Sequence, residues 1–247
     1  MLFRSHQWME YKDHLFVSFQ KDGEDQRWYQ PIGPDPQSLI IECSPACDFR
    51  YEYVDQSLLV NAPSSMVVEH EPHRRDYIFR LSDLRELKGN AYSPKRNFIK
   101  RCRALNPEVV VLDSSMKQEC MAIDERWLAT QPKPWPVSVM DEVSALGLTM
   151  DHLQDLGLTG IGIRVNGRME AIAIGGPLNT DTYLLSIQKA SRDVVGLYQL
   201  IFHEFACHVP AQYTFLNFEE DMGLEPLRRA KESWNPCKYV EKCKIIA

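Results

Sequence analysis

A basic segment near the middle of the chain holds the residue types best suited to bind an anion. Over positions 85–103 seven cationic side chains stand against one acid, Glu86, so the segment is +6 in a chain of net charge −6. Pro94 predicts the start of a helix over 93–104, since proline in the first turn loses no helical hydrogen bond. Helical spacing places Lys95 on its apolar side. A helix N-terminus beside cations favours a bound phosphate or carboxylate; a solvated basic face is the alternative.

A second short helix, predicted over 225–232, places another lysine among apolar residues. Lys231 shares an apolar stripe with Leu227, and Asp221 precedes the turn at Gly223. A partly buried lysine beside carboxylates is either a structural ion pair or a group that binds substrate or takes part in catalysis. The residues alone leave both open.

The segment 191–196 joins a predicted strand to a helix predicted over 193–208. Ser191 or Asp193 would cap that helix, and Gly196 would let a ligand approach its first turn closely. The segment matches neither the Walker loop nor the dinucleotide-binding glycine pattern. On its own it is a weak phosphate signal.

Potential metal ligands occur in two places, and neither has the spacing of a known site. His203 and His208 are five residues apart, which places them roughly 140° apart around a helix instead of on one face. Cys43 and Cys47 lack the second cysteine pair of a zinc site. We therefore predict no metal site and keep a metalloenzyme built on His203, Cys207 and His208 as a third hypothesis.

Composition limits the class of protein. The chain has 247 residues, enough for one large domain or two small ones. Its net negative charge disfavours a dedicated DNA-binding protein but allows a local basic patch. The sequence has no transmembrane segment and no apolar run typical of a signal peptide. Seven cysteines in such a chain predict reduced thiols and a cytoplasmic protein.

The order of predicted elements indicates an α/β fold with mixed sheets. After a helix over 138–156 comes a hairpin over 161–174, signalled by Asn-Gly at its turn, and then strands alternate with helices. The glycines and proline at 175–177 predict a break in the second hairpin strand. Residues 109–112 predict a buried strand.

The best linker is the Pro-rich segment 131–136, which excludes both helix and sheet. It predicts two halves, 1–130 and 137–247. The first half gives a looser version of the element order of the second.

Three segments, in the same order along the chain, resemble the motifs of one family. Residues 87–99 (LKGNAYSPKRNFI) resemble LKGKKYHxKRNHI, and residues 189–199 (KASRDVVGLYQ) resemble KADTxIxGxYQ. Residues 217–231 (NFEEDMGLEPLRRAK) are similar to the start of NREQDLGIEGLRKAKxSYxP. The chain thus resembles the C-terminal domain of phosphatidylglycerol lysyltransferases.

That resemblance implies tandem acetyltransferase-like (GNAT) folds related to the Fem aminoacyltransferases. It implies attack of an amine or hydroxyl on an activated acyl carbon, with aminoacyl-tRNA or acyl-CoA as donor and no permanently bound cofactor. The acceptor would be a small molecule or a lipid headgroup. Such a site needs an oxyanion donor, a proton acceptor and cations for an anionic donor.

The matching motif positions imply roles for individual residues. Asp221 and Lys231 are the expected catalytic residues. The expected donor- and anion-binding residues are Lys95, Arg96, Asn97, Lys189, Arg192, Asp193 and Gly196. The expected acyl pocket is formed by Gly175, Gly176 and Asn217. The chain departs from the motifs at Arg192, where the family has threonine, and at Phe218, where it has arginine.

A non-catalytic protein that uses the same cleft to bind a phosphorylated or carboxylated metabolite is the alternative. The two hypotheses predict different behaviour, since a binding protein shows affinity without turnover. A tRNA donor would bind with a steep salt dependence, whereas CoA would depend on salt less.

Overall fold

The structure is a computed structural model that describes residues 5–20, 25–43, 50–129 and 137–246. Cys47 and the Pro-rich segment 131–136 lie outside the described residues. The helices are α1 (Pro36–Cys43), α2 (Leu81–Glu86), α3 (Ser93–Arg103), α4 (Lys117–Ala129), α5 (Val137–Asp151), α6 (Leu197–His208) and α7 (Glu225–Glu232). The strands are β1 (Ser5–Tyr11), β2 (His14–Gln20), β3 (Arg27–Tyr29), β4 (Tyr51–Asp55), β5 (Val67–His70), β6 (Asp76–Arg80), β7 (Glu108–Val111), β8 (Thr159–Val165), β9 (Arg168–Pro177), β10 (Thr182–Ala190), β11 (Phe215–Asn217), β12 (Lys238–Val240) and β13 (Lys242–Ile246).

The chain folds into two compact units, and each unit is formed by segments that are separated in the sequence. The first comprises Met1–Asp76, Glu220–Arg228 and Tyr239–Ala247, and the second comprises Tyr77–Glu219 and Arg229–Lys238. These boundaries do not follow the Pro-rich segment. A division into two halves of one fold at 131–136 stays a prediction.

The first unit is built on a six-stranded sheet of order β1-β2-β3-β4-β13-β5. Only the β3–β4 pair is parallel among the pairings described. Its core is a cluster of buried side chains: Ile40, Tyr51, Val54, Cys243 and Ile245. The C-terminal strand β13 thus completes a sheet begun at the other end of the chain.

The second unit is built on a seven-stranded sheet of order β12-β6-β11-β10-β9-β8-β7. The β10–β11 pair is parallel and the β8–β9 pair antiparallel, so this sheet is also mixed and the predicted α/β class is confirmed. The predicted hairpin is confirmed as well. Its turn residues Asn166 and Gly167 have φ of 52° and 76°, as a tight two-residue turn requires.

Alternation along β9 assigns α2 to α6 to the two faces of the sheet. Ala171 and Ala173 belong to the core that also contains residues of α2, α3 and α6. Ile172 and Ile174 belong to the core that contains residues of α4 and α5. Because successive strand residues point to opposite faces, the two groups of helices cover opposite faces.

The structure corrects two expectations about strands. Strand β9 runs unbroken through Gly175 and Gly176 to Pro177 and pairs with β10 across that stretch. The glycines are needed there because a Cβ on Gly175 would lie 1.9 Å from the carbonyl oxygen of Leu184. The strand predicted as buried over 109–112 is β7, at one end of the sheet, with Val111 63% exposed.

Helix α6 begins four residues later than predicted. Gly196, not Ser191 or Asp193, is the N-cap, with φ of 87° and no side-chain cap. A left-handed residue cannot lie inside a right-handed helix, so the helix begins after it. The backbone N–H of Asp193 instead donates to Ser191 Oγ at 3.3 Å.

Replacement of Gly175 by alanine tests the close strand approach. We expect Gly175→Ala to lower the free energy of unfolding by about 1–3 kcal/mol, because the added methyl would overlap a backbone carbonyl that cannot rotate away. The matched control is Gly147→Ala in α5, where the nearest atoms would lie 3.7 Å away. It should stabilise by about 0.5–1 kcal/mol. Urea denaturation measures the free energy of unfolding of both variants. Equal changes in the two variants would contradict the close strand approach at Gly175.

Candidate functional site

Lys95 lies in the first turn of α3 and its side chain is buried at 8% exposure. The Nζ donates a hydrogen bond of 2.5 Å to Ser233 Oγ and lies 4.6 Å from the centre of the Trp234 ring. Among the described residues no carboxylate forms an ion pair with it. Burial lowers the pKa of Lys95 to about 8, since removal from water disfavours the charged form.

The predicted placement of both lysines on the apolar sides of their helices is confirmed, and one row of aromatic rings joins them. The ring centroids of Trp234 and Phe202 are 4.7 Å apart, and those of Phe202 and Phe218 are 5.0 Å apart. The Nζ of Lys231 lies 4.4 Å from the Phe218 ring. Two cations thus flank a single aromatic row in the second unit, each over a ring face.

Lys231 is 4% exposed and donates a hydrogen bond to the carbonyl oxygen of Phe218. The bond holds the end of α7 against the residue that follows β11. Lys231 also lies 5.7 Å from the Tyr77 ring. These contacts give the side chain a positioning role, and its catalytic role stays a prediction.

Asp221 is fully buried in the first unit and organises the turn before α7. Its Oδ1 accepts from the Gly223 backbone N–H at 2.8 Å, and its Oδ2 accepts from Arg228 Nε at 2.8 Å. A carboxylate with a charged partner and a backbone donor is satisfied as a structural ion pair. Its proposed part in catalysis stays a prediction too.

Gly196 has a packing role that accounts for its type. A Cβ at this position would lie 2.1 Å from the carbonyl oxygen of Phe98 in α3. The glycine therefore lets α3 cross directly over the N-terminus of α6. Gly196 thus has a packing role in this structure, and its contact with donor phosphates stays a prediction.

A separate pocket of about 110 Å³ opens on the sheet face covered by α4. It lies between α4 and the end of β10, and is lined by Ile123, Arg126, Trp127, Ala190, Ser191, Arg192 and Asp193. Next to it Lys189 forms a 3.1 Å ion pair with the buried Asp124 and lies 5.3 Å from the Trp127 ring. The structure thus brings together the predicted Lys189, Arg192 and Asp193.

The predicted anion-binding set is therefore divided between two faces of one sheet. Lys95 and Gly196 lie on the face covered by α3 and α6. Arg96 is exposed and donates to the backbone carbonyls of Leu87 and Gly89, the latter at 2.8 Å, which holds the turn before α3. Asn97 is exposed on the next position of the same helix.

Protein atoms lie close to both glycines of the predicted acyl pocket. A Cβ at Gly176 would lie 2.6 Å from Leu158 Cδ2, and the space beside Gly175 is occupied by the neighbouring strand. Asn217 is 3% exposed, and its Oδ1 accepts from the Glu219 backbone N–H at 2.7 Å. In this structure the three residues serve packing and a turn, and their part in an acyl pocket stays a prediction.

The histidines of α6 are used locally. His203 Nδ1 lies 2.8 Å from the Leu84 carbonyl oxygen, and His208 Nδ1 lies 2.7 Å from that of Glu204. The Sγ of Cys207 lies 3.8 Å from His203 Nε2. Within the described ranges no group of three suitable side chains is placed to hold a metal ion.

Two features of the sequence and fold decide the family. The three motif segments lie on α3, at the end of β10, and on the turn into α7. The family model described as "Phosphatidylglycerol lysyltransferase, C-terminal" matches residues 2–243. The chain belongs to this family. A comparison with curated proteins gave no match, and none of the described helices has the length and apolar character needed to cross a bilayer.

Solved structures agree with this assignment. A conserved protein of unknown function from Bacteroides thetaiotaomicron is 29% identical, with a TM-score of 0.86 over 97% of this chain and 85% of that one. L-PGS from Bacillus licheniformis is 13% identical, with a TM-score of 0.71 over 98% and 83%. FemX is 8% identical, with a TM-score of 0.65 over 98% and 88%. The relation to Fem-type folds implied by the motifs is confirmed.

Sequence reasoning missed the residues that complete each site. Ser233 and Trp234 follow Lys231 within the third family motif, where the pattern has Ser-Tyr. That match could have identified them as site residues. Arg126 and Trp127 lie outside the motifs, and only their packing against β10 reveals them.

Replacement of Lys95 by methionine tests the burial of its charge. Below pH 8 the lysine is charged in both the folded and unfolded states, so the penalty of burial is fully present. Between pH 8 and about 10.5 only the unfolded state retains the proton, and the wild type gains stability. We therefore expect Lys95→Met to raise Tm by a few degrees at pH 6.5, and the gain to shrink by pH 9.5.

The matched control is Lys100→Met on the exposed side of the same helix. Its Tm should stay within about 1 °C of wild type at both pH values. A Lys95→Met gain that does not change with pH would contradict the lowered pKa.

Proposed function

We propose that this protein is an acyltransferase that moves an aminoacyl or acyl group from an activated donor to an amine or hydroxyl. The observation on which the proposal rests is the Lys95–Ser233 hydrogen bond. The pair joins a buried lysine whose pKa is near 8 to an exposed hydroxyl. Family membership supports the kind of reaction, and the donor is aminoacyl-tRNA or acyl-CoA.

The pair suits the proton transfers of acyl transfer. The acceptor must lose a proton as it attacks the acyl carbon, and the leaving oxygen or sulfur must gain one. A lysine with a pKa near working pH has both forms available. Ser233 Oγ accepts from Nζ and donates to the Ala230 carbonyl oxygen at 2.6 Å, and in this proposal its hydroxyl turns away from that carbonyl to pass a proton between Nζ and the surface. General acid–base groups of this kind contribute about 10²–10⁴-fold to rate.

Lys231 supports the site by position. It fixes the Phe218 carbonyl and the aromatic row on which Lys95 also rests. In this proposal Lys231 acts on catalysis through the geometry of its neighbours. Asp221 fixes the turn from which α7 begins, within the first unit.

A transfer assay tests the function. Purified protein is incubated with radiolabelled aminoacyl-tRNA or acetyl-CoA, and with phosphatidylglycerol vesicles or small amines as acceptors. We expect wild type to turn over one donor, and Lys95→Met or Ser233→Ala to lower kcat by about 10²-fold or more. The rate should rise with pH toward about 8 in wild type, because the neutral amine is the base, and this limb should be lost in Lys95→Met.

Lys100→Met is the control for charge and helix, and it should keep the wild-type rate and pH profile. Absence of turnover with every donor, from protein shown to be folded, would contradict the proposal. So would a Lys95→Met variant as active as wild type.

The pocket beside α4 favours a second candidate function, the binding of a small phosphorylated or carboxylated metabolite without turnover. Arg192 is exposed at the pocket, and no described residue forms an ion pair with it. Arg126 and Trp127 of α4 also line the pocket, and Arg126 donates to the Met169 carbonyl oxygen at 2.6 Å. A guanidinium beside an aromatic wall suits a compact anion.

Titration with inorganic phosphate and with acetate tests this candidate through Trp127 fluorescence. We expect saturable quenching, and Arg192→Ala should weaken it about tenfold, as loss of one charged hydrogen bond does. Arg101→Ala, on exposed α3, is the matched control and should bind as wild type. Equal affinity of both variants would exclude the pocket as the anion site.

A further inference from the structure

We propose that the chain forms a symmetric dimer in which β1 pairs antiparallel with β1 of a second copy. Strand β1 is an end strand of the six-stranded sheet. Residues 6–11 are all exposed, with Trp8 at 75%, and no strand among the described residues pairs with the outer edge. A long exposed edge strand is a template for another strand unless something blocks it.

The β1–β2 turn decides which backbone groups point outward. Lys12 and Asp13 form a two-residue turn with φ of 49° and 58°, as in a type I′ hairpin. In such a hairpin the flanking residues, Tyr11 and His14, exchange hydrogen bonds with each other. Hydrogen-bonded pairs then recur at every second residue along the register.

Because of that alternation, three residues of β1 direct their backbone N–H and C=O groups toward the open edge of the sheet. Met9 and Gln7 direct their N–H and C=O groups toward β2, opposite Phe16 and Ser18. His6, Trp8 and Glu10 therefore direct theirs away from the sheet. The outer edge offers hydrogen bonds at three evenly spaced residues that share one sheet face.

The side chains of the same three residues are self-complementary. A twofold axis at Trp8 places His6 opposite Glu10 of the second copy, Glu10 opposite the second His6, and Trp8 opposite Trp8. Each such pair exchanges two backbone hydrogen bonds. Aromatic pairs are favourable cross-strand neighbours, and the imidazole N–H of His6 can donate a hydrogen bond to the carboxylate of the facing Glu10.

The register centred on Trp8 is favoured over the registers that are shifted by two residues. A shift of the second strand by two residues places Trp8 opposite His6 or Glu10, which removes both His–Glu pairs and the Trp–Trp pair. The His6 ring lies parallel to the Tyr29 ring, with centroids 6.4 Å apart, so it is held on the sheet face of Trp8. The pattern therefore fits a second copy of this chain.

A single strand pair buries less surface than a permanent dimer, so the expected dimer is weak and depends on concentration. Sedimentation equilibrium from micromolar to millimolar protein measures it. Wild type should move from monomer to dimer over this range. Glu10→Lys should raise the dimer dissociation constant about tenfold, because both hydrogen-bonded His–Glu pairs are lost.

A swapped double variant separates the pairing from a general effect of charge. His6→Glu combined with Glu10→Lys places a carboxylate opposite an ammonium group on each side of the axis, and it should bind at least as tightly as wild type. Glu69→Lys makes the same charge change on β5, at the opposite edge of the same sheet, and should dimerise as wild type. Near-ultraviolet circular dichroism checks that each variant is folded.

A wild type that stays monomeric at the highest concentration would overturn the proposal. So would a Glu10→Lys variant that dimerises as Glu69→Lys does, or a double variant no better than Glu10→Lys.

Discussion

The burial of one unpaired ammonium group is the constraint on which the rest of the account depends. Lys95 is removed from water and lies in the first turn of α3, where the helix dipole also disfavours a positive charge. Its partners are a hydroxyl and the face of Trp234, which offset only part of that penalty. Lys95 lies in a family motif although its burial lowers the stability of the fold. Such a residue is expected to have a functional role.

The fold of the second unit explains how this position is maintained. Gly196 lets α3 approach α6 closely, and α6 supplies Phe202, which packs against Trp234. Trp234 then forms the wall on which Lys95 rests, while Phe218 links the same row to Lys231. The site is thus assembled from three segments that are distant in sequence, and packing of rings holds them together.

Local patterns in the sequence predicted much of this, because they depend only on neighbours along the chain. Helix α7 has the predicted bounds, and helical spacing correctly placed Lys95 and Lys231 on buried sides. The Asn-Gly turn correctly predicted the β8–β9 hairpin. The three motifs gave the family before any contact was known.

What the sequence could not provide were the partners across the chain. The apolar run at β7 looked buried because hydrophobicity does not show whether a strand lies at the centre or the end of a sheet. The glycines at 175 and 176 looked like a break, yet they permit a close backbone approach. The pocket lined by Trp127 and Arg192 brings together residues more than sixty positions apart. No local sequence pattern predicts a contact over that separation.

The most direct test of the central claim is the titration of Lys95 itself. Selective ¹³C labelling of lysine side chains allows the pKa of each ammonium group to be followed by NMR. We expect one lysine to titrate near pH 8, with a signal that is absent in Lys95→Met. If the signal lost in Lys95→Met instead titrates near 10.5, as exposed lysines do, the charge is not buried and the proposed role of Lys95 is contradicted.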